Sequence, residues 1–408
     1  MRKIFNFNTK WAFTKDAETV PSVMPQKWYW VNLPHTWNDI DGQDGGNDLY
    51  RGTSYYAKEL EKIDLPKADK YFLELQGANS SATVYVNNKK LAYHDGGYST
   101  WRVDITDVLE DKNLFVVEVD NSANDRVYPQ NADFTFYGGL YRDVNIIAVN
   151  NSHFDLEYYG TPGIKVTPEV VGEHAKVDVE VFVKNAKENQ KLVYTIKDRE
   201  GNVVAQRETT ASQKEAIFEI ENVHLWHGRK DPYLYSVEVL LKENDEILDN
   251  VSTRFGCRTF KIDPELGFIL NGEEYPLRGV VVWAEIPYIS THMPKGRENT
   301  ITQMKELVVQ NYNHPSIIVW GLSNEITMSG DSTEDLRENH VILNDLVHEM
   351  DKTRLTTIAC VSMCDMDDPY VQIPDVVSYN HYFGWYGETQ IWMVLGLMNS
   401  TQNIQIYQ

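Results

Sequence analysis

The hydrophobic period of this 408-residue chain changes near residue 271, and that change constrains its fold more than any other feature. Before it, apolar residues recur at the spacing of strands. Residues 71–75, 82–86, 114–119 and 142–147 read as strands, with turn signals at Gly77-Ala78-Asn79 and Asn87-Asn88. Residues 176–183 alternate Val177, Val179, Val181 and Val183 with polar neighbours, as a half-buried strand does. Residues 192–196 precede an Asp198-Arg199-Glu200-Gly201 turn, and residues 235–239 follow Asp231-Pro232. No long helical period interrupts this stretch. Two β-sandwiches are predicted, one over 1–150 and one over 151–260, the second with the length and short strands of an immunoglobulin-like unit.

After residue 271 the pattern becomes strand, helix, strand, helix, strand. Residues 281–284, 317–320, 357–361 and 376–379 are short apolar runs suited to strands buried on both faces. Ile301, Met304, Leu307 and Val308 stand at helical spacing within 300–310, and 336–350 reads as a second helix. Such alternation predicts a parallel sheet with crossovers. Polar residues follow the strands: Glu285, Asn324-Glu325, and Asn380-His381-Tyr382. The C-terminal strand ends of a parallel barrel are where active sites are built, so Glu325 is a candidate general acid. A carboxylate at a helix N-terminus or in a solvated loop fits the residue pattern equally well.

Composition narrows the function classes. Lys and Arg number 38 against 60 Asp and Glu, for a net charge of -22. That field repels nucleic-acid phosphates and anionic lipid, so neither is an expected partner. Aromatic residues make up 12% of the chain, which suits sugar faces but on composition alone is better read as core packing. Cys257, Cys360 and Cys364 are too few and too odd in number for a disulfide framework, and they are expected to be buried thiols. Polar residues interrupt the N-terminal segment and no apolar run is long enough to span a bilayer, so the expected compartment is cytoplasmic.

Residues 313–325, Asn-His-Pro-Ser-Ile-Ile-Val-Trp-Gly-Leu-Ser-Asn-Glu, resemble the acid/base signature of glycoside hydrolase family 2. Residues 32–38, 138–144, 225–226 with 231–235, 254–256 with 271–272, and 276–280 agree with it in order. Within the family the pattern is most similar to bacterial β-galactosidases. The resemblance implies a jelly-roll sugar-binding sandwich, an immunoglobulin-like sandwich, and a partial (β/α)8 TIM barrel over 261–387. It implies retaining hydrolysis of terminal β-D-galactose by two glutamates, acid/base and nucleophile, about 5 Å apart. Glu325 matches the acid/base and Asn324 the residue that binds the sugar 2-hydroxyl. Asn380 and Tyr382 match the pocket lining, and Asp133 matches a sugar-binding aspartate of the first domain, the lesser reading of that position being an exposed loop acid. A β-glucuronidase-type hydrolase and a non-catalytic carbohydrate-binding remnant are the other readings. Intact relatives can be homo-oligomers.

The chain departs from the family in two places. Residues 277–280 run directly into 281–285, where the family inserts a strand, two helices and a pocket histidine segment, so an internal segment reads as deleted. From residue 388 the tail is out of pattern and the nucleophile is expected to be absent. Codons for 388 onward, read two bases later, can spell Asp-Thr-Asn-Met-Asp-Gly-Pro-Trp, which is family-like, so the tail reads as frame-shifted. Only about half of the ~250 residues of a barrel remains. Magnesium serves some relatives through a Glu-x-His motif. The corresponding positions here are Tyr288-Ile289-Ser290, so no metal ligand is assigned, and Glu285 reads as a pocket-edge or structural acid.

Overall fold

The computed structural model describes residues 1–15, 17–41, 49–132, 134–275, 281–328, 330, 332–381 and 404–406, the last three as backbone only. The first β unit is a pair of antiparallel sheets. One has six strands, with Thr53–Glu61 and Lys112–Asp120 at its centre, and the other has four, with Val144–Val149 and Lys70–Leu75 at its centre. Trp11, Tyr56, Leu73, Val84, Val117 and Ile146 fill the space between them and are fully buried. The second unit pairs a three-stranded sheet (Ile164–Val171, His174–Val181, Glu215–Ile220) with a four-stranded one centred on Gln190–Lys197 and Tyr235–Glu243. Burial alternates residue by residue along Tyr235–Glu243, which is the period-two signal of its sequence made physical. No sheet joins strands from before residue 150 to strands after it among the described residues.

Beyond a small antiparallel sheet over 260–274 the chain switches to a parallel one. Its strands are β1 (Val282–Glu285), β2 (Ile317–Asn324), β3 (Leu355–Val361) and β4 (Val376–Asn380), paired in that order. Helix α1 (Arg297–Asn311) crosses from β1 to β2, and α2 (Glu334–Met350) from β2 to β3. The hydroxyl of Thr333 caps α2 by accepting from the Leu336 amide at 3.2 Å. Residues 362–375 connect β3 to β4 through turns instead of a helix. Ile404–Ile406 adds an antiparallel strand beside β4. Four parallel strands, two of their three connections helical, make half of a TIM barrel. The junction at 276–280 lies outside the described residues.

The first sandwich seats on α1. The Gln310 side chain exchanges hydrogen bonds with the Thr100 backbone, its Oε1 accepting at 3.0 Å and its Nε2 donating at 2.9 Å. Asn299 Oδ1 accepts from the Tyr128 amide at 3.0 Å. Gly160 has φ of 68°, and a Cβ there would stand 2.1 Å from the Thr100 carbonyl, so only glycine permits the approach. The second sandwich seats at the N-terminal ends of the parallel strands, where Asn313 Oδ1 accepts from the Val166 amide at 2.8 Å. Cys257 and Cys360 are buried as expected, whereas Cys364 is only half buried.

Candidate active site

β2 is buried along its length, through Trp320 and Leu322, and surfaces at Asn324. Its ladder with β3 slips between Gly321 and Asn324. Glu325 then takes a left-handed backbone, φ 50°. For a glutamate this costs on the order of 1–2 kcal/mol, and it persists because neighbours fix both flanks. The Asn324 amide donates to the Tyr288 carbonyl at 3.0 Å, and the Glu325 amide to the Ala359 carbonyl at 2.7 Å. The strand end is thus clamped between the segments following β1 and those of β3.

Asn380, the last residue of β4, draws the side chains together. Its Nδ2 donates to Asn324 Oδ1 at 2.9 Å and to Glu325 Oε1 at 3.0 Å. Glu325 is 7% exposed. Three of the residues singled out in the sequence, Asn324, Glu325 and Asn380, therefore form one constellation at the C-terminal edge of the sheet. Asp133 and Tyr382 lie outside the described residues.

Glu285 belongs to the same edge. It ends β1 in register with Gly321 of β2. A Cβ on Gly321 would stand 2.2 Å from Glu285 Cβ and 2.3 Å from Trp283 Nε1, so the glycine makes room for both side chains. The Glu285 carboxyl keeps a solvent-facing side, yet crowding by protein atoms, with the Glu325 charge adding, pushes it up to about 7. The neighbouring Trp283 indole opposes this rise. The sequence reads Glu285 as a pocket-edge or structural acid; its electrostatic coupling to Glu325 follows from strand register, which composition does not display.

The positions corresponding to the magnesium motif do not fit a metal. The Tyr288 hydroxyl is engaged with His292 Nδ1 at 2.6 Å, and Ser290 Oγ donates to the Asn131 carbonyl at 2.8 Å. His292 is held on its other nitrogen by Asp335 at 2.5 Å. No three His, Cys, Asp or Glu side chains converge as a metal site among the described residues.

With this geometry in hand, comparison with known proteins is specific. Family models match in order: the sugar binding domain of glycosyl hydrolases family 2 over residues 39–150, the glycosyl hydrolases family 2 domain over 162–258, and the family's TIM barrel domain over 265–405. A β-glucuronidase of Bacteroides fragilis is 31% identical over 88% of this chain and 61% of its own length. The crystal structure of an FMN-binding β-glucuronidase from Facaelibacterium prausnitzii L2-6 superposes with a TM-score of 0.90 at 35% identity, covering 98% of this chain and 71% of that one. A putative β-galactosidase from Bacteroides fragilis superposes with a TM-score of 0.85 at 30% identity, covering 98% and 70%. The chain belongs to glycosyl hydrolase family 2. It spans 61% of the length of the Bacteroides fragilis β-glucuronidase.

Proposed function

We propose that this chain carries the acid/base half of a retaining β-glycosidase site, with Glu325 as the acid/base and a β-glucuronide as the glycone. The observation that carries the reading is the Asn324–Glu325–Asn380 constellation at the C-terminal ends of parallel strands. In the first step Glu325 gives its proton to the glycosidic oxygen as the bond to the leaving group breaks. In the second it takes a proton from the attacking water. The Asn380 amide, 3.0 Å from Oε1, steadies the carboxylate between the two steps. Asn324, its side chain oriented by the same amide, is placed to bind the sugar 2-hydroxyl. Asp133 and Tyr382 would complete the glycone pocket.

The choice of glucuronide over the galactoside suggested by sequence rests on two relatives named as β-glucuronidases, at 31% and 35% identity. The relative named as a putative β-galactosidase, at 30%, keeps galactoside as the second reading. A retaining reaction also needs a nucleophile about 5 Å from the acid/base. We assign that role to no residue of this chain. Hydrolysis by the chain as written is therefore expected to be negligible.

The test sets this chain beside a version with the missing barrel segment and the family-like reading frame restored, on aryl β-glucuronides and β-galactosides. The restored form should turn over the glucuronide, and Glu325→Gln in it should slow poor leaving groups far more than good ones. Equal turnover by the two forms would sink the assignment of an incomplete site. Preference for the galactoside would reverse the glycone. Equal loss for all leaving groups would remove Glu325 from the acid role.

A further inference from the structure

A cavity of about 460 Å³ lies at the opposite end of the parallel sheet from Glu325. It is walled by residues 166–170 of the second sandwich, by Arg258 and Phe260, and by the segments that lead into β2 and β3. Three cations line it: Arg258, Lys352 and Arg354. Two carboxylates are near. Asp351 is buried and already paired with Arg354 Nη1 at 2.7 Å, and Glu169 stands exposed on the rim.

Arg258 is the unusual member. Its Nε and Nη2 donate to the carbonyls of Pro315 and Ile317, and its guanidinium lies 4.7 Å over the Phe260 ring. It has no carboxylate partner, and Nη1 has no acceptor among the described residues. Lys352 has no hydrogen bond or ion pair among the described residues either. Arg258 is half-buried and has no ion pair among the described residues, so an anion in the cavity would supply the counter-charge its guanidinium lacks. Two neighbouring groups register the surplus charge. Burial and then the Arg354 charge hold Arg258 down to about 9, with Asp351 opposing. His314, whose carbonyl accepts from Arg354 Nη2 at 3.1 Å, is lowered by desolvation and then by the Arg354 and Arg254 charges.

We infer that this cavity is a binding site for a tetrahedral oxyanion of the sulfate or phosphate class, gripped by Arg258 Nη1 and Lys352. The volume exceeds what one such ion fills, so a sugar carrying the group also fits. The site lies outside the reaction centre and does not depend on the glycosidase reading. In a chain of net charge -22 it is a local reversal of sign, which favours a discrete ligand over a broad polyanion.

The experiment is calorimetric titration of the whole chain with sodium sulfate and with glucose 6-sulfate, against sodium chloride at constant ionic strength. Saturable sulfate binding is expected, weakened about tenfold or more by Arg258→Gln and several-fold by Lys352→Gln. Tighter binding of the sugar ester would mark a carried sulfate; equal binding would mark the free ion. Lys352→Glu is the second variant, because Lys352 is exposed and unpartnered and its replacement leaves the fold intact even where Arg258→Gln does not. Absence of saturable binding, or binding that survives Lys352→Glu unchanged, would overturn the inference.

Discussion

Removing the Asp351 carboxylate should unfasten the base of the strand that carries Glu325. Asp351 is 1% exposed and accepts from Trp320 Nε1 at 2.9 Å, Arg354 Nη1 at 2.7 Å, and the Thr353 amide and hydroxyl at 2.8 and 2.7 Å. Arg354 in turn donates to the carbonyls of Ile317, Tyr312 and His314. Asp351→Ala leaves that guanidinium buried without its counter-ion. Breaking a buried pair from one side costs about 3–5 kcal/mol. A domain of this size has only about 5–15 kcal/mol in total, so the parallel sheet should be left marginal. A single unfolding curve would mix three units, so the assay is native-state hydrogen exchange on the amides of residues 317–324 and 355–361. Their opening free energy should fall by about 4 kcal/mol, while amides of residues 112–120 in the first sandwich hold theirs. Asp351→Leu with Arg354→Met removes both charges and should recover most of the loss. A loss below about 1 kcal/mol in the single variant would refute the reasoning.

Acid should act on the same pair. The Asp351 carboxyl is held below its ordinary value by the Arg354 charge and its hydrogen bonds, which together outweigh burial. Its stabilisation is therefore present above the unfolded value of 3.8 and is lost as pH falls through the lower folded value, a loss that Asp351→Asn should remove from the acid unfolding profile. Glu285 runs the other way: with a folded value of about 7 against 4.5 unfolded, the native state binds more proton between those values, so stability should decline as pH rises through that window. Glu285→Gln should flatten this slope, and an unchanged pH profile would count against a raised Glu285 carboxyl. Gly321→Ala should cost about 1–3 kcal/mol or more in thermal or exchange measurements, because the new methyl meets Glu285 Cβ, which cannot yield without moving β1.

Much of the fold is written in local patterns. The strand expected over 192–196 appears as Gln190–Lys197, and the helix expected over 300–310 as Arg297–Asn311. Both signals are periodic burial, which a chain displays one segment at a time. Helix α1 was legible despite burying polar residues such as Gln303 and Glu306, because its apolar spacing survived. What the period could not reveal is why those polar residues are buried. Gln303 Nε2 donates to Asn299 Oδ1, which also receives the Tyr128 amide, and Glu306 meets His94 at 2.6 Å. Apart from the Gln303–Asn299 bond within α1, these contacts join elements some 170 to 210 residues apart in the chain, and no window of sequence contains both partners.

The same division runs through the site. Glu325 and Asn324 were legible because a polar pair directly follows a run of buried residues, and Asn380 because it repeats that position two strands later. Glu285 repeats it too, but its importance depends on the register of β1 against β2 and on the missing side chain of Gly321. A glycine in a strand reads locally as weakness. Here it admits Trp283 and Glu285 beside the strand that leads into Glu325, so the strand interior is spent on placing a second carboxyl near the first. The cation-lined cavity at the other end was invisible for the same reason. Arg258 follows the second sandwich, whereas Lys352 and Arg354 precede β3, and only closure of the sheet over that sandwich turns three scattered basic residues into one pocket. Chemistry that sits on strand ends can thus be read from sequence, while chemistry that arises between units needs the packed chain.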